Sequence, residues 1–152
     1  TLTGGLRNDG GDIRAGTTDG TATTLRIGNY ASVPTILNSG DILAVTVDSG
    51  EDTETNVISE LGGNAFAIIV EEQGSLSSVI NTGTIQADAA GSGSSAGAII
   101  DRSGSITSFS NTGDVLATIR DGSTGTSTAL DVRTSASDIS FFNSGTITGD
   151  IY

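Results

Sequence analysis

The residues that could do chemistry in this chain of 152 residues are acids and arginines, because it contains no histidine, cysteine or lysine. Neither a Ser–His–Asp nor a Cys–His arrangement can therefore form within it. An acid beside an arginine suits cleavage of an acidic polysaccharide, and Asp101-Arg102 and Arg120-Asp121 are such neighbours. Asp101 and Asp131 could supply the two carboxylates of a glycosidase if they lie on adjacent turns of the fold. With no tryptophan and only two tyrosines as platforms for a sugar ring, we interpret these charges as solvated surface groups and predict no enzyme.

A second candidate chemistry is cation binding by an acidic segment in the first half of the chain. Hard cations such as Ca²⁺ take carboxylate oxygens, and four acids lie close together at Asp48, Glu51, Asp52 and Glu54. The segment has neither the ligand order of an EF-hand nor the Gly-Gly-x-Gly-x-Asp nonapeptide of a calcium β-roll. We therefore predict an acidic loop, keep Ca²⁺ as the alternative, and expect no other cofactor.

The charge balance bears on possible partners. Eighteen acids oppose six arginines, which gives a net charge of −12. Such a surface repels phosphates, so nucleic acid is not an expected partner. No stretch of the sequence approaches the length of apolar residues that a transmembrane helix needs, so we expect no transmembrane segment.

An internal repeat defines the elements that must position these residues. An Asn-Ser/Thr-Gly tripeptide recurs with Asn-to-Asn spacings of 43, 30 and 32 residues, and a fainter copy, Asn8-Asp9-Gly10, precedes it by 30. We attribute the spacing of 43 to a loop inserted at about residues 48–63. The four full copies are Asn38-Ser39-Gly40, Asn81-Thr82-Gly83, Asn111-Thr112-Gly113 and Asn143-Ser144-Gly145.

Apolar residues align around each asparagine with a period of two, which is typical of strands. The first copy fits if Gly11 is an extra residue, which puts Ile13 and Ala15 in the later places. Two residues before each Asn lie Leu6, Ile36, Val79, Phe109 and Phe141; four after it lie Ile42, Ile85, Val115 and Ile147; six after it lie Ala44, Ala87, Ala117 and Gly149; eight after it lie Thr46, Ala89, Ile119 and Ile151.

Two further stretches of each repeat also align. A second strand precedes each motif, and a third short stretch lies just before the asparagine. The second strand contains Leu25 and Ile27, Ile68 and Val70, Ala98 and Ile100, and Leu130 and Val132; the third stretch contains Val33, Leu76, Ile106 and Ile139.

Three strands in about 30 residues predict one triangular coil, so the sequence predicts an all-β parallel β-helix of about five coils in a single domain spanning residues 1–152. Like residues should stack, with Phe109 over Phe141. Asparagine and glycine suit the corner because both tolerate left-handed backbone, and stacked asparagines can bond amide to amide. A ligand-binding asparagine row is the alternative.

The repeat at 98–117, Ala-Ile-Ile-Asp-Arg-Ser-Gly-Ser-Ile-Thr-Ser-Phe-Ser-Asn-Thr-Gly-Asp-Val-Leu-Ala, resembles the passenger domains of bacterial autotransporters and related large secreted β-helical surface proteins. The resemblance extends from Leu6 to Ile151. It implies a right-handed β-helix, export across the outer membrane and display on the cell surface, and it carries over no catalytic residue. The C-terminal translocator barrel of an autotransporter is absent from the sequence, so the chain would be part of a passenger only. We expect it to be a segment of a longer rod.

These observations predict an extracellular structural or adhesive β-solenoid, such as a passenger, stalk, filament or surface-layer component. Its expected partners are neighbouring coils of the same or identical chains, and host or bacterial surface glycans or proteins. The alternative is a glycan-binding or glycan-cleaving β-helix. An ice-binding surface is disfavoured, because Thr146 and Thr148 form only one Thr-x-Thr rung.

Overall fold

The predicted parallel β-helix is confirmed by the computed structural model, which describes residues 2–18, 20–47, 63–120 and 123–152. Fifteen strands in these ranges form three parallel sheets of five strands, and no helix occurs in them. Each coil contributes one strand to each sheet in chain order, so that every strand pairs with its equivalent one coil away. The rise per coil is about 4.8 Å, which makes five coils about 24 Å tall.

The three sheets are named here in the order in which the chain enters them. Sheet A contains β1 (Leu6–Asn8), β4 (Ser32–Asn38), β7 (Ser75–Asn81), β10 (Ser108–Asn111) and β13 (Ser140–Asn143). Sheet B contains β2 (Asp12–Thr18), β5 (Asp41–Val47), β8 (Thr84–Ala89), β11 (Asp114–Ile119) and β14 (Thr146–Thr148). Sheet C contains β3 (Ala22–Ile27), β6 (Ala65–Val70), β9 (Ser94–Asp101), β12 (Gly125–Asp131) and β15 (Asp150–Ile151).

The core is a set of rows in which like side chains stack along the rod. In sheet B one row is purely aliphatic and the next holds only alanine, as the period of two predicts. One coil alone cannot bury these faces, so stability comes from contact between neighbouring coils. The two rows are Ile13–Ile42–Ile85–Val115–Ile147 and Ala15–Ala44–Ala87–Ala117.

The predicted aromatic stack in sheet A is also present. The ring centroids of Phe109 and Phe141 lie 5.2 Å apart with an interplanar angle of 20°. Phe109 is buried, whereas Phe141 lies in the fifth coil and is half-exposed. The stack therefore joins the core of the fourth coil to the surface of the fifth.

Sheet C departs from the strict period of two, because successive residues of its strands are buried. Ala67 and Ile68 are both buried, as are Ala98 with Ile99 and Ala129 with Leu130. The predicted alignment of Ala98 and Ile100 with Ile68 and Val70 is therefore wrong by one residue, although Ala98 itself lies in the core. Ile99 pairs with both Ile68 and Leu130, and Asp101 pairs with Val70. Asp101 occupies the position that Ile27 and Val70 occupy in the first two coils. An alignment based on pairs of aliphatic residues is therefore displaced by one residue in the third coil.

Two smaller placements also differ from the sequence-based ones. Ile151, predicted in the core of sheet B, lies in β15, pairs with Leu130 of sheet C and is half-exposed. Gly11 is the corner residue of the first coil, because its carbonyl accepts from the Asp41 N–H as the Gly40 carbonyl does from Thr84. The extra residue therefore falls between Asn8 and Gly11, where Gly10 has φ +77°.

The inserted segment predicted at 48–63 falls on residues 48–62, outside the described residues, with the exception of Gly63. The Gly63 N–H donates to the Ala90 carbonyl, and the Gly63 carbonyl accepts from Thr46 Oγ1 at 2.9 Å. Gly63 is thus part of the stack that leads into β6. In the ranges that the structure covers, no helix is long and apolar enough to cross a membrane.

Candidate functional site

The corner between sheets A and B carries a continuous ladder of asparagine amides. In each pair of adjacent coils, Nδ2 of one asparagine donates to Oδ1 of the next, over distances of 2.7–2.8 Å. Asn38, Asn81 and Asn111 in the middle of the ladder are buried. The predicted corner ladder is therefore present, and it consists of Asn8, Asn38, Asn81, Asn111 and Asn143.

Each ladder amide also donates to the backbone of its own coil, and all but that of Asn143 donate to the backbone of the next coil as well. Nδ2 of Asn81 lies 3.0 Å from the Gly83 carbonyl oxygen and 3.0 Å from that of Asp114. Asn38 contacts Gly40 and Thr84 in the same way. The amides thus give the corner carbonyls a second hydrogen bond, since the carbonyls of Gly40 and Gly83 also accept from the backbone N–H groups of Thr84 and Asp114. A side chain engaged in this way has no donor left for a ligand, which disfavours the ligand-binding alternative.

The corner glycines are required by close stacking and not by backbone conformation. The glycines of the four full copies, Gly40, Gly83, Gly113 and Gly145, do not have a positive φ. The predicted reason for these glycines, tolerance of left-handed backbone, is therefore wrong. A Cβ on each would instead overlap the carbonyl oxygen of the equivalent glycine in the preceding coil. The corner therefore stacks backbone directly on backbone, through Gly11, Gly40, Gly83, Gly113 and Gly145.

Asp101, one of the predicted catalytic candidates, is a buried structural carboxylate. Its Oδ1 accepts from the Ser103 N–H at 2.9 Å, the Ser103 hydroxyl at 2.6 Å and the Gly104 N–H at 3.1 Å. Its Oδ2 accepts from the Ile106 N–H at 2.9 Å. The carboxylate holds the turn that leads from sheet C to sheet A in place of a strand ladder. The interpretation of Asp101 as a solvated surface group is wrong, because the side chain is buried.

Replacing Asp101 with alanine should lower the free energy of unfolding by about 2 kcal/mol, because buried backbone N–H groups lose their acceptor. Urea unfolding followed by circular dichroism measures this loss. Asp138→Ala, at an exposed position, removes the same charge and should leave the stability nearly unchanged. Equal effects of the two substitutions would show that charge, and not the turn, is responsible.

Asp131 lies on the coil next to Asp101, but the two carboxylates do not form a pair. Asp131 is in register with Ile100, and its carboxylate is held by Arg133, with Nε at 2.9 Å from Oδ1 and Nη2 at 2.6 Å from Oδ2. This hydrogen bonding, together with the charge of the guanidinium, lowers the pKa of Asp131 below its usual value. Asp131 is thus held as a carboxylate by its own arginine and is unsuited to act as a general acid.

Arg133→Gln should raise the pKa of Asp131 toward the usual aspartate value, which a carbon-13 titration of the carboxyl group by NMR measures. Because the pKa is lower in the folded chain than in the unfolded chain, the pair stabilises the fold above about pH 4. This contribution is lost as the pH falls through the lowered pKa. Arg7→Gln, in the first coil, removes a guanidinium from Asp9 and should leave Asp131 unaffected. An unchanged Asp131 pKa in Arg133→Gln would contradict the assignment.

The remaining charged candidates join coils to one another. Arg120 Nε lies 2.9 Å from Oδ2 of Asp88 in the preceding coil, while Asp121 is outside the described residues. The Glu71 carboxylate lies between Arg26 of the first coil and Arg102 of the third, at 2.9 and 3.3 Å. These ion pairs connect successive coils along the surface of sheets B and C.

A shallow groove of about 300 Å³ runs along the outside of the corner across the first three coils. Its apolar side chains are Leu37 and Ile80, which are 39% and 38% exposed. Hydroxyls of Ser39 and Thr82 line it as well, and the ion pair of Arg7 and Asp9 lies at its first coil. Sequence reasoning missed this groove. Its signal in the sequence is an apolar residue directly before the asparagine in three repeats, where the period of two predicts an exposed side chain, and two of the three, Leu37 and Ile80, line the groove.

The calcium candidates Asp48, Glu51, Asp52 and Glu54 lie outside the described residues, so the prediction for them stays a prediction. Within 2–18, 20–47, 63–120 and 123–152, no three His, Cys, Asp or Glu side chains are grouped as a metal site. No buried side-chain nitrogen or oxygen in those ranges lacks a hydrogen-bond partner.

Comparison with known proteins returned no similarity: no family model, no curated protein and no solved structure matches the chain. The resemblance to autotransporter passengers therefore rests on the repeat alone.

Proposed function

We propose that the protein is a non-catalytic extracellular β-solenoid rod displayed on a bacterial surface, as a passenger, stalk, filament or surface-layer component. One observation carries the proposal: among the described residues, the polar side chains that could do chemistry are engaged in structural contacts, most of them between coils. The asparagines form the ladder, Asp101 holds a turn, and Glu71 and Asp88 pair with arginines of neighbouring coils.

The character of the surface supports this function. Ser, Thr and Gly dominate the corners, and the net charge of −12 keeps such rods apart in solution. A stack of short coils places every corner on the outside at regular spacing, which suits display along a surface. The resemblance of the repeat to autotransporter passengers supports the proposed location.

The location is tested by adding protease to intact cells of the bacterium that produces the protein. A displayed rod is degraded by external protease while a cytoplasmic marker remains intact. Protection of the protein until the cells are lysed would overturn the surface location.

The absence of catalysis is tested on a panel of neutral and acidic polysaccharides. We expect neither new reducing ends nor the absorbance of unsaturated sugars after long incubation at high protein concentration. Release of either product that is lost in the Asp131→Asn variant would overturn the proposal and establish a β-helical glycan-cleaving enzyme.

The second candidate function is glycan binding without cleavage, and the groove at the corner favours it. Leu37 and Ile80 offer an apolar surface for the C–H face of a sugar, with hydroxyls and the Arg7–Asp9 pair beside them for sugar hydroxyls. A glycan array probed with the chain and with Ile80→Ser tests this. Binding that Ile80→Ser loses supports the groove, and binding that it retains places the ligand elsewhere.

A further inference from the structure

The outer face of sheet A in the second to fourth coils carries no charge, although the protein has a net charge of −12. The strands and corners that form it, 32–40, 75–83 and 108–113, contain no Asp, Glu, Lys or Arg. In the same coils each strand of sheet B carries an aspartate on its outer side, at Asp41, Asp88 and Asp114. Each of these coils has a coil on either side of it. The uncharged face is therefore a side of the rod, and its exposure does not depend on where the chain begins or ends.

Three columns of side chains run along this face, parallel to the axis of the rod. The central column occupies the position before the ladder asparagine and begins with two exposed apolar side chains; it consists of Leu37, Ile80 and Ser110. A column of hydroxyls lies on either side of it. The first occupies the position two residues earlier in each strand and consists of Thr35, Ser78 and Ser108. The second follows the asparagine and consists of Ser39, Thr82 and Thr112.

The two hydroxyl columns differ in the hydrogen bonds that they still have available. Ser39 and Thr82 donate to the carbonyl oxygen of the ladder asparagine one coil earlier, at 3.1 and 3.2 Å. Their hydroxyl oxygens can therefore still accept. The hydroxyls of Thr35 and Ser78 have no hydrogen-bond partner among the described residues, so they can donate. The apolar strip of Leu37 and Ile80 thus lies between a column that accepts and a column that donates.

The chemistry of this face matches that of a neutral sugar. A face without charges offers no ion pair to a ligand, and the acidic surface around it repels anionic chains. A pyranose ring has an apolar C–H face and a rim of hydroxyls, so it can cover an apolar strip while its hydroxyls reach groups on both sides. Mostly apolar sites with a few placed polar groups are typical of small-molecule binding. Because the columns repeat from coil to coil, they suit a chain of sugars that runs along the rod.

The size of the face favours a glycan over a protein partner. It measures about 14 Å along the rod and about 16 Å along the strands. The resulting area of roughly 220 Å² is well below the roughly 800 Å² that each partner contributes to a stable protein–protein interface. A single chain of sugars is narrow enough to be held by three columns.

We propose that this face binds a neutral glycan chain that lies parallel to the axis of the rod. The C–H faces of successive sugars pack on Leu37 and Ile80. Sugar hydroxyls donate to Ser39 and Thr82 on one side and accept from Ser78 on the other. This deepens the glycan-binding candidate by naming the class of glycan and its direction, and it rests on that candidate but not on the surface location.

Electrophoresis in native gels that contain a soluble polysaccharide tests the proposal, because a polysaccharide that binds retards the acidic chain. Galactomannan, xyloglucan and dextran are the neutral probes, and polygalacturonate and heparin are the acidic ones. We expect retardation by at least one neutral polysaccharide and by neither acidic one. In calorimetry with the polysaccharide that binds, raising the salt from about 0.05 to about 0.5 M should leave the affinity unchanged, because salt screens charges and none takes part.

Leu37→Asp and Ile80→Asp each place a charge on the apolar strip. Each should lower the affinity at least about tenfold, because one glycan chain along the rod contacts both positions. Leu43→Asp is the matched control, since Leu43 lies in the same coil as Leu37 but on the outer side of sheet B, and it should leave the affinity unchanged. Ser78→Ala should weaken binding about fivefold, whereas Ser137→Ala, in an exposed turn, should have no effect. Circular dichroism melting confirms that each variant is folded.

Retardation by none of the neutral polysaccharides would overturn the proposal, as would binding that Leu37→Asp and Ile80→Asp both leave intact. Loss of binding in only one of these two variants would contradict a chain that lies along the rod. Dimers in sedimentation velocity that Leu37→Asp dissociates would assign the face to contact between copies of the protein instead. Binding of an acidic polysaccharide alone would overturn this inference while the glycan-binding candidate stands.

Discussion

Replacing Asn81 with alanine should lower the free energy of unfolding by about 3–5 kcal/mol, a large part of the stability of a domain of this size. Asn81 is fully buried and lies at the centre of the ladder. Its loss removes one of the three acceptors of the Asn38 amide and the donor to Asn111 Oδ1. It also leaves the carbonyls of Gly83 and Asp114 without this amide. A buried group left without a partner costs about 1–3 kcal/mol, and the total is less than the sum over all four contacts because the Gly83 carbonyl keeps the Asp114 N–H and the Asn38 amide keeps two carbonyls.

Urea unfolding monitored by circular dichroism measures the loss, and two matched variants interpret it. Asn29→Ala makes the same truncation at an exposed position and should change stability by less than about 0.5 kcal/mol. Asn143→Ala removes only one ladder bond in a more exposed coil and should fall between the two. A loss for Asn81→Ala no larger than that for Asn29→Ala would show that the ladder contributes little to stability.

Gly83→Ala should destabilise the protein by at least about 3 kcal/mol, although it adds one methyl group. The new Cβ would overlap the carbonyl oxygen of Gly40. It would also lie 2.7 Å from the Ser39 carbonyl carbon and 2.9 Å from the Gly40 nitrogen. These are backbone atoms held by the coil pairing, so they cannot move aside as a side chain could. Relief requires the second and third coils to separate at the corner, which would also stretch the Asn38–Asn81 bond.

Gly28→Ala is the control for this substitution, because a Cβ at Gly28 meets nothing within 4 Å. Its backbone is not left-handed, so alanine there should stabilise slightly, by about 0.4–1 kcal/mol, through the unfolded chain. Thermal melting and urea unfolding of both variants should therefore shift in opposite directions. Similar shifts would mean that loss of glycine flexibility, and not the stacked corner, governs the effect.

The sequence predicts the coils well where the period of two is unbroken. The rows through Ile42 and Ala44 in sheet B follow from spacing alone, because each strand of that sheet alternates regularly. In sheet C successive residues, such as Ala98 and Ile99, are both buried. A pattern of alternating residues cannot predict two buried neighbours. In addition, Asp101 replaces the aliphatic residue that would have marked the correct alignment.

The sequence does not show why some residues are required at their positions, because the reason lies in contacts that form only in the folded coils. A glycine row suggests a special backbone conformation, yet Gly83 is required by the carbonyl of Gly40, 43 residues earlier. Likewise, nothing in the string Ile100-Asp101-Arg102 reveals that the carboxylate turns inward to three backbone N–H groups. Repeat spacing identifies the asparagines because the same residue recurs in every coil. It does not identify a residue such as Asp101, which has its structural role in one coil only.

The stacking of coils also determines how the rod would carry a mechanical load. The hydrogen bonds that join coils, both backbone and asparagine amide, point along the rod and connect only adjacent coils. Tension between its two ends therefore concentrates on one junction at a time and peels coils away in sequence, each releasing about 30 residues of slack chain. A force across the rod instead meets the covalent backbone of every coil. The rod should therefore unfold one coil at a time when it is pulled along its axis, and it should resist a force that acts across the axis.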